Sequence, residues 1–99
     1  MSSLREKTIE ASLVGGVKRR GGMCPKFTSP GMDGMPDRLV LLQHGHFGFV
    51  EVKAPGKKPR PLQAYRHREL RKLGFKTFVL DGTKQIEGIL NEIEGGDAT

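Results

Sequence analysis

Tryptophan is absent from the 99 residues, and tyrosine and cysteine occur once each. The lone thiol, Cys24, closes no internal disulfide, so a reducing interior is the expected home. It has no His or Cys neighbour at ligand spacing and reads as a small buried or half-buried side chain. No apolar run approaches the ~18–20 residues of a membrane span. The opening MSSLREKTIE lacks the apolar centre of a secretory signal, so a soluble, cytoplasmic protein with no membrane partner is expected. Acidic residues are also scarce, 11 against 17 Lys and Arg, which leaves a net charge of +6. Such a surface draws polyanions, nucleic acid first among them. With 35% apolar content the core must be small. Residues 1–99 are therefore expected to form a single domain that gains stability from a partner or a bound ligand.

Periodicity orders the chain. Residues 4–20 place Leu4, Ile9, Leu13 and Val17 near a helical stripe, with Ser3 as cap and Glu6 at capping-box distance. Lys18, Arg19 and Arg20 suit the last turn, and Gly21-Gly22 stops it. Gly15-Gly16 costs about 1 kcal/mol per glycine relative to Ala, but would let another backbone, including that of a second copy, come close. A short strand is expected around Lys26–Thr28. RLVLLQ (38–43) and HGHFGFVEVK (44–53) read as a hairpin turning near Gly45. APGKKPRP (54–61) is irregular, since its prolines remove donors and fix φ. Residues 62–74 form a second helix, with Pro61 at its start and Gly74 as its stop. Residues 75–82 form a strand, and 83–96 an amphipathic helix capped by Thr83, with a tail fraying from about 95 to 99. The order is helix, three strands, helix, strand, helix, an α/β arrangement.

The stretch GMPDRLVLLQHGHFGFVEVKAPGKKPRPLQ (34–63) sets two carboxylates and a lysine within this basic chain. Side chains two apart on a strand share a face, so Glu51 and Lys53 point together, while Val50 and Val52 turn the other way. The hairpin can carry Asp37 across to Glu51. Two carboxylates that close repel, unless a cation sits between them. A hard divalent ion such as Mg²⁺, with oxygen ligands and retained waters, resolves the conflict, and the Val52 carbonyl is available as a third protein ligand. Lys53 is then placed to orient the attacking water or to balance charge growing on a phosphoryl oxygen. Singly, Pro-Asp is often only a turn and Glu-X-Lys only a solvated ion pair.

The ordered set IEASLV, GGMCPKFTSPG, GMPDRLVLL, GFVEVKAPGKKPRPLQ resembles the VRR-NUC nucleases, a branch of the PD-(D/E)XK superfamily, over residues 6 to about 87. The resemblance implies a restriction-endonuclease-like αβββαβ core, a mixed central sheet flanked by helices. It implies Asp37 and Glu51 as metal carboxylates, Lys53 as the catalytic lysine, Gln63 as the supporting glutamine, and Mg²⁺ or Mn²⁺ as the cofactor, with no small-molecule cofactor. Glu10, set in IEASLV as in archaeal junction resolvases of the superfamily, would be the first-helix acid in the catalytic and metal set. Glu6, one turn earlier, is the second choice. Small stand-alone members, many from phages, look like homodimeric resolvases of four-way DNA junctions, which implies branched DNA as substrate and a bacterial or phage-infected cell as the setting. Larger relatives act on flaps. A flap or nonspecific endonuclease, or a non-catalytic basic DNA-binding module, is the alternative.

Lys57, Lys58 and Arg60 border the proposed site from the proline-rich loop. Together with Lys26, Arg38 and Arg66 they are the expected DNA contacts, setting affinity and position but not sequence preference. His44-Gly-His46 has no third ligand for zinc and reads as a polar turn. His67 reads as a partner for DNA or solvent. Thr28 and Ser29 have no His/Asp frame for covalent catalysis.

Overall fold

The computed structural model describes residues 5–95. Ser3, Leu4 and most of the expected frayed tail lie outside that range. The first helix, α1 (Glu6–Arg19), starts from an extended Arg5 without a side-chain cap. Glu6 in its first turn and Lys18 and Arg19 in its last complement the helix dipole. Ile9, Leu13, Gly16 and Val17 form its buried stripe.

Strands β1 (Arg38–Leu41) and β2 (Phe47–Val52) pair antiparallel, with Arg38 opposite Val50 and Leu41 opposite Phe47. Helix α2 (Pro61–Lys72) then crosses over to β3 (Thr77–Leu80), which pairs parallel with β2. A parallel pair needs such a crossover, because a tight turn can join only antiparallel strands. The result is a mixed three-stranded sheet in the order β1-β2-β3, flanked by helices. Helix α3 (Ile86–Ile93) ends the described fold. Val40, Val50, Val52 and Leu80 project from one sheet face into a core shared with Ile9, Leu13 and Val17 of α1 and Ile86, Ile89, Leu90 and Ile93 of α3. No helix among the described residues is long and apolar enough to cross a membrane.

Several boundaries differ from expectation, each for a local reason. The strand expected at Lys26–Thr28 is reduced to isolated bridges, Met23 with Leu41 and Lys26 with Arg38. The segment does run beside β1: Met23 and Leu41 exchange two bonds of 2.9 Å, Leu39 N–H donates to Pro25 O, and Phe27 N–H donates to Asp37 O. Pro25 has no N–H to return, so the ladder is broken midway. The hairpin turns through a 3₁₀ segment, Gln43–Gly45, where His44 (φ 67°) and Gly45 (φ 77°) are both left-handed. Two such residues in succession bend the chain away from the ladder and shorten both strands. The last helix likewise opens with a 3₁₀ turn, Thr83–Gln85. Thr83 is not its cap. Instead Gln85 bonds back to Asp81, accepting from its N–H (2.9 Å) and donating to Oδ1 (2.7 Å).

The adjacent glycines of α1 have different surroundings. A Cβ on Gly16 would stand 3.3 Å from Ile86 Cγ2 and 3.5 Å from Leu90 Cδ1, so this glycine lets α3 of the same chain approach. A Cβ on Gly15 would meet only the Arg19 guanidinium, at 3.5 Å. Gly15→Ala is expected to raise stability by about 0.5–1 kcal/mol through helix propensity. Gly16→Leu is expected to lower it by about 1–3 kcal/mol through overpacking. Urea melts of the two variants check both signs.

Candidate active site

The strand register assembles the site. Arg38 pairs with Val50, so the next step along the ladder sets Asp37 opposite Glu51. Pro36, fully buried, fixes the entry to that step. The amide N–H of Val52 donates to Asp37 Oδ1 at 3.2 Å, which holds the aspartate against β2. Glu51 points to the face opposite the valine core and is only 4% exposed. Its Oε2 accepts from Gln63 Nε2 at 3.0 Å and lies 3.3 Å from Lys53 Nζ. Its Oε1 is buried without a hydrogen-bond partner.

Helix α2 supplies the other half. Pro61 starts it, and Gln63 in its first turn works from both ends. Gln63 Oε1 accepts from the Arg60 N–H at 2.8 Å while its amide donates to Glu51. The glutamine thereby fastens the start of the helix to the strand. One turn later His67, on the same buried stripe, brings Nε2 to 3.9 Å from Glu51 Oε1. Its place in a basic helix points to solvent or DNA as its partner, but in the fold His67 is 2% exposed. The signal was present in the spacing: Gln63 and His67 stand at i, i+4 and must share a helix face.

Electrostatics follow from this packing. Burial, then repulsion by Asp37, pushes the Glu51 carboxyl up to about 7 even though Lys53 draws it down. Burial, Arg71 and Lys53 hold the His67 imidazole below its usual value. Facing carboxylates and an orphaned carboxylate oxygen form a donor set that suits a hard divalent cation. The described residues contain no group of three or more His, Cys, Asp or Glu side chains able to hold a metal, so any cation here depends on this pair and on backbone or water oxygens.

The remaining expected residues separate into two groups. Glu10 is paired with Arg38 (Oε2 to Nε, 2.8 Å), and the same guanidinium donates to Cys24 O. Arg38 follows Asp37 directly and so points to the core side of the sheet. The structure thus gives Glu10 to Arg38 instead of to the carboxylate pair, and Glu6 is exposed. Arg66 donates to Asp33 O at 3.1 Å and pairs with Glu69, clamping the 28–35 loop onto α2. Arg38 and Arg66 therefore have internal partners where free DNA contacts were expected. Lys26, Lys57, Lys58 and Arg60 are exposed, the last three on the loop between Lys53 and Gln63. The Gly56 N–H ties that loop to Asp81 Oδ2 at 3.3 Å. His44 and His46 line a shallow surface hollow with Gln43 and Glu94, whose carboxylate is taken by Arg20.

Glu51 has a measurable signature without metal. Its folded value lies above the ordinary 4.5, so the stability it contributes is full below 4.5 and is lost as pH rises through about 7. His67, shifted down, has the opposite slope: its contribution is lost as pH falls below 6.5. In EDTA, the melting temperature of the wild type minus that of Glu51→Gln is expected to fall as pH rises across the Glu51 window. Melting curves at a series of pH values check the direction.

No family model matches the chain. A protein of Acyrthosiphon pisum secondary endosymbiont phage 1, named "Putative nuclease p44", is 51% identical over 90 residues, which is 91% of this chain and 96% of that protein. A solved structure titled "VRR_NUC domain" superposes with a TM-score of 0.82 at 31% identity, covering 90% of this chain and 97% of the other. Near-full coverage of both relatives, together with the Asp37, Glu51, Lys53 and Gln63 constellation, places this chain in the VRR-NUC family.

Proposed function

We propose that the chain is a divalent-metal-dependent endonuclease that hydrolyses phosphodiester bonds in branched DNA, four-way junctions above all, and that it acts as a homodimer. The observation that carries the reading is the meeting of Asp37, Glu51 and Lys53 at the C-terminal end of β2. The phage relative is named as a nuclease, which agrees. Asp37, Glu51 and the Val52 carbonyl would hold Mg²⁺ or Mn²⁺, which when bound would supply positive charge to the phosphoryl oxygens and lower the pKa of the attacking water.

The chain's own groups do the rest. Gln63 donates to Glu51 Oε2 and so fastens the carboxylate to the start of α2. Lys53 offers an ammonium beside Glu51, able to donate to a phosphoryl oxygen as charge develops there. Lys26, Lys57, Lys58 and Arg60 hold the sugar-phosphate backbone without reading base edges, so shape selects the substrate. Resolution of a junction requires two symmetric cuts, which a two-fold dimer supplies from two identical sites.

A four-way junction, a 5′ flap and a linear duplex, each incubated with Mn²⁺, test the substrate. Paired symmetric nicks confined to the junction are expected, and equal cutting of all three would remove the junction preference. Mn²⁺ is expected to raise the melting temperature of the wild type but not of Asp37→Asn. Lys53→Ala is expected to bind the junction normally in a gel-shift assay, with turnover lower by about 10²–10³-fold, as when one transition-state donor is removed.

A further inference from the structure

Glu51 has two oxygens with unequal surroundings. Oε2 has both Gln63 and Lys53, and Oε1 has no hydrogen bond. His67 Nε2 is likewise buried and unbonded, and the two orphans face each other across 3.9 Å. That separation exceeds a hydrogen bond by less than the swing of either side chain about its last torsion. Buried polar atoms of native proteins nearly always have partners, so two adjacent unsatisfied ones call for an explanation.

We infer that His67 is a positioning residue for the Glu51 carboxylate, donating from Nε2 to Oε1 when that carboxylate takes up a cation. Successive turns of α2 then hold one oxygen each, Gln63 the one and His67 the other. Carboxylates that ligate metals are themselves held by hydrogen bonds, and losing such a partner weakens metal binding without removing a ligand. At 2% exposure His67 touches neither substrate nor solvent, so it acts through Glu51. The inference rests on the reading of Asp37 and Glu51 as cation ligands.

Calorimetric titration of Mn²⁺ into the wild type, His67→Phe and His67→Gln tests it, alongside melting of each in EDTA and kcat and KM on the junction. The phenylalanine keeps the volume without a donor, and the glutamine places an amide near the position of Nε2. His67→Phe is expected to bind Mn²⁺ about 10–100-fold more weakly. Its metal-free melting temperature should be at or above that of the wild type, and its KM for DNA unchanged. His67→Gln should recover most of the Mn²⁺ affinity. Wild-type affinity in His67→Phe, or no recovery in His67→Gln, would overturn the assignment. So would a metal-free melting temperature that falls in step with affinity, because His67 would then be a packing residue. If His67→Phe does not fold, His67→Met carries the same comparison. A wild type that takes up no Mn²⁺ would overturn the proposed function together with this inference, whereas a wild type that binds and variants that bind equally would overturn this inference alone.

Discussion

Two carboxylates that repel each other are held face to face by a hairpin, and much of the surrounding structure answers that conflict. Asp37 is pinned by the Val52 amide and Glu51 by Gln63, so neither can simply turn away. Burial on the α2 side of the sheet removes the water that would screen them, which pushes the Glu51 proton affinity up to about 7. Lys53 offsets only part of this. A site with that residual tension favours binding of added positive charge, the electrostatic condition a cation site needs.

β2 makes the arrangement possible because its two faces do opposite work. Val50 and Val52 enter the core between α1 and α3, while Phe49, Glu51 and Lys53 face the α2 side. The core valines give the strand its rigidity, and the pleat passes that rigidity to the site residues between them. The parallel partner β3 draws α2 across the sheet, which delivers Gln63 and His67 to Glu51 from above. A chain with a small core thus places its most constrained residues one position away from its chemistry.

Positive charge serves two purposes in this fold. Arg20, Arg38 and Arg66 are turned inward or along the surface to join distant segments: α1 to α3, β1 to α1, and the 28–35 loop to α2. The guanidinium suits this because it can bond two partners in fixed directions. Lys57 and Lys58 of the proline-rich loop join no such pair among the described residues and are exposed.

Sequence alone determined the helices, the hairpin, the crossover and the membership of Asp37, Glu51, Lys53 and Gln63 in one constellation. The helices, the hairpin and the grouping of Asp37, Glu51 and Lys53 rest on local rules of period, turn residues and alternation, whereas the mixed sheet with its crossover and the place of Gln63 come from the resemblance to the VRR-NUC nucleases. Tertiary structure decided what those rules leave open. It gave Glu10 to Arg38, because neighbouring residues on a strand face opposite sides. It made Gly16 a contact with α3 of the same chain, and it broke the edge strand at Pro25. His67 was readable as a member of the Gln63 stripe, but only the docking of α2 over β2 showed what that stripe covers. Partnership between side chains far apart in the chain depends on which surfaces meet, and a one-dimensional pattern does not carry that.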